Sequence, residues 1–423
     1  MKRHAFVALA AAVSASACGG TLRSHEDAAD TSVDVTDTTE SPADVPADVA
    51  DPCSAFPDDP CVVLEYEGGS EEVAVEFHVD VDAADFYLLV DTTGSMDESI
   101  ADVAAAFTTD ILPAAEAAFG DVQFGLGHFN DFPSGSYGQW NDMPFWHMLD
   151  VSTDFAAVQT ELDTLPGNDS WGNGADLPES NVVALAITAL GLGLDVGGAT
   201  VADRTCTDPA SSGYPCFRVD ALPVIMMISD APWHNGEGGS DPYESFTTHG
   251  WDDAVAAFDA AGIKFLGVHI PYADPGVDGL TPHQHFATAT GSIDADGNPL
   301  VSTGDAASAG ERAALLIDTL RQEARFDVAC TAEDDPGDDR DATVFVESIV
   351  PESALPPAGF PDPTMDGTTF HDATQGTLLT FLVTLRNADH PSETAPVASA
   401  VWIVAVGDGI TEIGRERIVA VVP

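Results

Sequence analysis

The chain has 423 residues, 44% of them hydrophobic, enough for one large core or two moderate ones. Its 71 acidic against 13 basic residues give a formal net charge of -58, a field that repels nucleic acid and anionic lipid and draws divalent cations. Most of this acid reads as solvated surface suited to a salty medium, where charges are screened over roughly 10 Å, so only carboxylates that converge on one point need a functional account.

Lys2 and Arg3, the apolar run from Ala5 to Val13 and the small residues Ala15-Ser16-Ala17 ahead of Cys18 read as a secretory signal over residues 1–17, too short to span a bilayer. The segment resembles a bacterial lipoprotein signal, although Ala15 stands where that family usually has Leu. The resemblance implies lipidation of Cys18 and an exported chain held in the cell envelope, as an outer-membrane lipoprotein or on the cell surface. Ordinary cleavage with Cys18 incidental is the alternative. Residues 18–58, rich in Asp, Thr, Ser, Ala and Pro, bury too little to offset the entropy of ordering and read as a disordered acidic tether.

Export sets an oxidising compartment for Cys53, Cys61, Cys206, Cys216 and Cys330. Cys206 and Cys216 bracket a loop with Pro209, Gly213 and Pro215, so a local disulfide is expected there, and Cys53 and Cys61 can close a second. Cys330 is then left unpaired or joined to one of them. No cysteine or histidine pair has the spacing of a structural zinc site.

The body alternates strands and helices. Glu72 to Val81 alternates apolar and polar residues, and with Val62 to Tyr66 it reads as a hairpin. Phe86 to Val90 is a continuous apolar run such as a doubly buried strand shows, and Asp97 to Phe119 follows with helical spacing. Val122 to Phe129 is a strand, and Phe155 to Leu165 and Ser180 to Leu192 are helices. Pro223 to Ser229 (PVIMMIS) is another buried strand, followed by a helix at Trp251 to Ala261, a strand at Ile263 to His269 and a closing helix at Ala309 to Arg325. This α/β pattern predicts a mostly parallel sheet covered by helices, with ligands bound where the strands end.

Directly after the first buried strand comes Asp91-Thr92-Thr93-Gly94-Ser95-Met96, one carboxylate and two hydroxyls on a tight turn. Such a set can face a single hard cation, which wants oxygen ligands, although Asp, Thr and Ser also cap helices. Asp85 to Met96 (DFYLLVDTTGSM) resembles the metal-ion-dependent adhesion site of von Willebrand factor A domains, and most of all that of the integrin β subunit. Phe124 to Asp131 with Pro133, Pro144 to His147, Asp176-Leu177-Pro178-Glu179 and Pro223 to Ala231 resemble further segments of that domain in the same order.

The resemblance, which covers roughly Val73 to Arg325, implies a primary site of Asp91, Thr93, Ser95, Glu179 and Asp230 holding Mg2+ or Mn2+. It implies a second, synergistic site of Asp131, Asp176, Glu179 and the carbonyl of Pro178, suited to Ca2+. An Asn of the family falls on Gly174, with Asn173 one place away. A third site would need two acidic residues after the motif, but Glu98 is followed by Ser99, so no tight metal is expected at Glu98. The family's ligand-contacting Tyr is Gly94 here, and its disulfide-tied specificity loop is replaced by Phe132 to Met143 without cysteines, so integrin ligand preference does not transfer.

After the α/β part, Thr343 to Val350, Thr377 to Arg386, Val397 to Val406 and Glu416 to Val422 are β-type runs between turns. The expected organisation is a von Willebrand factor A domain (Rossmann-like, doubly wound) over residues 84–328, with an all-β Ig-like sandwich built from residues 59–83 and 329–423. This resembles the integrin hybrid domain with its insertion; a separate C-terminal sandwich is the alternative.

His283-Gln284-His285 reads as solvent-facing loop. Asp294 to Asn298 begins like a calcium loop but lacks the glutamate at its twelfth position, so it reads as a turn. Asp334 to Asp341 reads as a solvated acidic hinge, and Trp171, Trp233 and His234 lie near the predicted metal face, there to touch a ligand or to pack. The expected function is metal-dependent surface adhesion or protein binding, with the cation bridging to a carboxylate on a protein or polysaccharide partner. A static structural role in a surface or secreted matrix is the alternative. Catalysis is disfavoured, because no Ser-His-Asp, Cys-His or nucleotide loop accompanies the site. Contact with a membrane is expected only through the lipid anchor, and no nucleic acid partner is expected.

Overall fold

The computed structural model describes residues 51–166, 172–272, 274–338, 340–392 and 395–423. The signal, Cys18, the first part of the tether and Trp171 lie outside the described residues. In chain order the elements begin with β1 (Cys61–Val63), β2 (Glu71–His78), β3 (Ala83–Asp91), α1 (Ile100–Ala106), α2 (Leu112–Ala118), β4 (Asp121–Phe129), β5 (Trp146–Ser152), α3 (Phe155–Leu162) and α4 (Asn181–Leu190). A small ribbon of β6 (Leu194–Val196) and β7 (Ala199–Val201) precedes β8 (Leu222–Ser229), α5 (Trp251–Ala260), β9 (Lys264–His269), α6 (Leu280–Ala289), β10 (Val301–Thr303) and α7 (Ala309–Glu323). The remainder is strand: β11 (Arg325–Asp334), β12 (Val346–Leu355), β13 (Thr364–Met365), β14 (Thr369–Thr374), β15 (Leu378–Leu385), β16 (Val397–Gly407) and β17 (Thr411–Val422).

A mixed α/β arrangement carries the site. Six strands lie in the order β10-β9-β8-β3-β4-β5, all neighbours parallel except β5, which runs antiparallel to β4. With water on neither face a strand has no reason to alternate in polarity, and β8 and β9 are buried throughout. Alternate side chains of β3 and β8 feed two cores. Phe86, Leu88, Val90, Val224, Met226 and Ile228 share one with Val103 of α1, Ala115 of α2, Val158 of α3 and Ile317 of α7. Tyr87, Leu89, Ile225 and Met227 share the other with Leu185 of α4, Phe258 of α5 and Phe286 of α6. Strand order reverses at β3, between β4 on one side and β8 on the other, so a crevice opens beyond the carboxyl ends of these three strands.

The remaining strands form a six-stranded sheet, β1-β17-β16-β11-β14-β13, and a three-stranded sheet, β12-β15-β2. Phe370 on β14 meets Phe381 on β15 edge to face at 5.0 Å, bringing the two sheets together. Strands from before and after the α/β part pair with one another: β2 with β15, where Phe77 faces Leu379, and β1 in parallel with β17, where Cys61 faces Val419. Disulfides join Cys53 to Cys61 and Cys206 to Cys216, and Cys330 is a free, half-buried thiol.

Three readings change. The segments of β1 and β2 make no hairpin, since each pairs with a different C-terminal strand; alternation marks a strand but not its partner. The helix expected over 97–119 is broken by a π-helical turn at Phe107–Ile111, where the N–H of Leu112 donates to the carbonyl of Phe107. Pro113 sits in the first turn beyond the break and has no N–H for the ordinary ladder. His283 and His285 lie on α6, not in a loop. His283 is fully buried, its Nδ1 2.8 Å from the Gly279 carbonyl, and burial pushes its pKa down to about 3.

Candidate metal centre

The ends of β3 and β8 deliver most of the primary constellation. Asp91, the last residue of β3, is fully buried, and its Oδ1 accepts from the Thr93 amide at 2.9 Å and the Thr93 hydroxyl at 2.6 Å. Thr93 Oγ1 lies 3.2 Å from Ser95 Oγ, and Ser95 Oγ donates to Asp230 Oδ1 at 2.9 Å. The other Asp91 oxygen accepts from Ser229 Oγ at 2.7 Å, which ties the two central strand ends together. Ser95 is exposed at the rim of this otherwise buried chain of oxygens.

Glu179 comes from the segment before α4. Its backbone bridges in parallel to Trp233: the Glu179 amide donates to the Pro232 carbonyl at 3.0 Å, and the His234 amide to the Glu179 carbonyl at 2.9 Å. The Glu179 side chain is buried, and its Oε2 has no hydrogen-bond partner. A cleft of about 210 Å³ opens here, lined by Ser95, Asn173, Gly174, Asp176, Glu179 and Tyr272 among others. A Cβ on Gly174 would stand 2.6 Å from Glu179 Oε1, and Gly174 has φ +72°, so a side chain at the position where the resemblance places an Asn would displace the Glu179 carboxylate.

Asp131 follows β4 and is fully buried. Its Oδ1 accepts from the Phe132 amide at 2.6 Å and from the Tyr243 hydroxyl, while its Oδ2 has no hydrogen-bond partner. Ligand atoms of Asp131, half-buried Asp176 and His234 all lie within 4.8 Å of one another. Pro178 is half-buried beside Glu179, and Glu98 is exposed and outside this group. His234 is the member of the cluster that the sequence did not single out as a ligand; its signal was only its place four residues beyond Asp230.

Like charges dominate the electrostatics. Burial, and after it the charge of Asp91, pushes the Asp230 carboxyl up to about 7. Burial pushes Asp131 up to about 8 against the pull of His234. Glu179 lies well above the usual carboxylate range through burial and then the charges of Asp91, Asp131 and Asp176. Asp91 is raised by burial, with the bonds from Thr93 and Ser229 pulling the other way. Among the described ion pairs no lysine or arginine neutralises Asp91, Glu179 or Asp230. A set of buried carboxylate and hydroxyl oxygens, one of them orphaned, is the donor chemistry that a hard divalent cation accepts.

The other candidates resolve into structural roles. Trp233 is buried against Trp251, Phe265, His283 and Phe286 and is core packing. Asp294 Oδ1 accepts from the amides of Asp296 and Asn298 at 3.0 and 2.7 Å, closing a turn on itself. The acidic stretch after β11 is not merely solvated: Asp335 pairs with Arg417 at 2.9 Å, and Asp338 accepts from the Ala400 amide at 2.7 Å.

No family model matches the chain, and no curated protein matches it. Similar solved structures include a von Willebrand factor type A protein from Catenulispora acidiphila, with 14% identity over 85% of this chain and 71% of that one and a TM-score of 0.35. The pilus adhesin SpaC from Lactobacillus rhamnosus GG, in its open conformation, has 11% identity over 83% of this chain and 45% of its own, with a TM-score of 0.33. Proximal thread matrix protein 1 from the mussel byssus has 10% identity over 59% of this chain and 48% of its own, with a TM-score of 0.33. The chain thus spans about half the length of the latter two proteins.

Proposed function

We propose that the chain is an exported, envelope-anchored adhesion or protein-binding module. In this reading residues 84–328 form a von Willebrand factor A-type domain inserted in an Ig-like sandwich of residues 59–83 and 329–423. Asp91, Thr93, Ser95, Glu179 and Asp230 would hold Mg2+ or Mn2+, which supplies an open coordination position for a carboxylate on a protein or polysaccharide partner. The observation that carries the reading is the continuous oxygen chain Asp91–Thr93–Ser95–Asp230, whose exposed Ser95 lines the same cleft as Glu179 with its orphaned oxygen. Asp91 and Asp230 are both engaged within this oxygen chain, and no Ser-His-Asp or Cys-His arrangement accompanies it in the sequence, so binding is favoured over hydrolysis in this reading.

The test is capture of binding partners from whole cells or secreted matrix by the immobilised chain, with magnesium and with EDTA. Partners retained in magnesium, released by EDTA and not captured by Asp91→Ala are the expected result. Equal capture under all three conditions would sink the adhesion-site assignment.

A further inference from the structure

The geometry points to a nitrogen-containing site for a first-row transition ion, formed by His234, Asp131 and Asp176 beside the oxygen-only primary cluster. The cluster shares Asp131 and Asp176 with the second site that the resemblance implies but none of the five primary residues, so it stands whether or not the primary cluster serves adhesion.

Two atoms in this cluster are buried and unsatisfied although they face each other. His234 is 4% exposed and Asp131 0%, yet neither His234 Nε2 nor Asp131 Oδ2 has a hydrogen-bond partner. Nε2 lies 3.5 Å from Asp131 Oδ2 and 3.3 Å from Asp176 Oδ2. A charge-assisted N–H to carboxylate bond would sit at about 2.7 to 2.9 Å, well inside both distances. Two atoms bound to one ion at about 2.0 to 2.2 Å stand roughly 3.0 to 3.5 Å apart, which is close to both separations.

The ring is also oriented as a ligand should be. Its Nδ1 is 2.6 Å from the Asp241 carbonyl, an atom that can only accept, so Nδ1 carries the hydrogen. In the neutral ring Nε2 then presents a lone pair to two carboxylates, an arrangement that repels unless a proton or a metal ion lies between them, and the separations of 3.3 and 3.5 Å suit the ion better than a direct N–H bond. A ring N–H fixed by a carbonyl behind the ligating nitrogen is the usual support for a metal-bound histidine. Asp131 is braced in the same way, with Oδ1 occupied by Phe132 and Tyr243 and Oδ2 left toward the histidine. Tyr137 and Tyr243 pack against the imidazole with ring centroids at 5.2 and 4.3 Å, and the His234 amide is held by the Glu179 carbonyl at 2.9 Å. Calcium binds oxygen almost alone, whereas an imidazole ligand suits zinc, iron, copper and nickel, and the two carboxylates beside it also admit manganese.

Manganese separates the two clusters, because the residues of the primary one offer oxygen alone. The untagged full chain loaded with Mn2+ is expected to show 14N modulation from a directly bound imidazole in pulsed electron paramagnetic resonance. That signal should persist in Asp91→Asn, which disables the primary cluster, and vanish in His234→Gln. Asp176→Asn should remove it too, and covers the case in which the histidine variant fails to fold. Absence of 14N modulation at saturating manganese, or its survival in a folded His234→Gln chain, would overturn the assignment whatever the outcome for adhesion.

Discussion

Ser95 Oγ donates a 2.9 Å hydrogen bond to Asp230 Oδ1 across 135 residues of sequence, joining the turn after one central strand to the end of its neighbour. The bond forms because β3 and β8 are parallel partners in register, with Val90 opposite Ile228, so the residues that follow them emerge at the same level. Metal binding should therefore report on the packing of the sheet and not on a loop alone.

Magnesium or manganese is expected to stabilise the fold. A ligand at a hundred times its dissociation constant contributes about 2.7 kcal/mol, enough to raise the melting temperature by several degrees, and EDTA should reverse the rise. Asp91→Ala or Asp230→Ala should abolish most of the shift. Asp294→Ala should leave it intact, because that carboxylate is occupied by its own turn. Calorimetry on the four proteins decides the matter; an undiminished magnesium response in Asp91→Ala would exclude the primary cluster as the site.

Gly174→Ala is expected to weaken both the fold and the metal response. The left-handed backbone costs a residue with a Cβ about 1 to 2 kcal/mol, and the new carbon would press on Glu179 Oε1 at 2.6 Å. Gly291→Ala is the control, since φ is +62° there but nothing lies within 4 Å of the added carbon. Equal loss of metal response in both variants would show that strain alone, and not the Glu179 contact, is being measured.

The doubly buried strands were readable because PVIMMIS and DFYLLVD have no polar alternation, and Asp91 and Asp230 stood out as candidates because each ends or follows such a run. Glu179 lies in an irregular segment before α4 and was legible only through the resemblance. What was not legible depends on long-range pairing. Alternation in Glu72–Val81 announced a strand, but its partner β15 lies some three hundred residues on, and nothing local names it. His234 could not be told from a packing residue, since its approach to Asp131 follows from the bridge between Glu179 and Trp233. His283 looked solvent-facing because an isolated histidine carries no sign of the Trp233 and Phe286 cluster that covers it.

The strand pairing predicts that residues 329–423 expressed alone do not fold, whereas residues 84–328 do. Without β2 the small sheet loses the partner of β15, and Val75 and Phe77 leave the core. Burying a large apolar side chain is worth about 1.5 to 3 kcal/mol, so these two alone approach the stability margin of a small domain. Cooperative thermal unfolding of the isolated 329–423 fragment would contradict this and favour a self-sufficient C-terminal sandwich.

Anchoring is tested separately. Cys18→Ser should move the protein from the membrane fraction to the medium while leaving its melting temperature unchanged. Unaltered membrane association would remove the lipoprotein reading and leave the metal cluster untouched.

Stability of the metal-free chain should fall as pH rises, the reverse of ordinary carboxylate behaviour. Asp230 is pushed up to about 7 and Asp131 up to about 8 in the folded chain, whereas an unfolded aspartate titrates near ~3.9. A group whose folded pKa is raised holds its proton more tightly when folded. Its stabilising contribution is complete below about pH 4 and is lost as pH climbs through the folded value. In EDTA the melting temperature should thus decline between about pH 5 and 8, as buried carboxylates are forced to ionise beside one another. Saturating magnesium should flatten that decline, because the cation replaces the protons, and binding near pH 6 should release protons measurable as a buffer-dependent heat. Asp230→Asn removes one of the raised groups and should make the metal-free protein less sensitive to pH while abolishing its magnesium response. If melting in EDTA is instead flat or rises across this range, the carboxylates of the crevice do not hold protons in the folded chain, and the charge argument for a bound cation loses its basis.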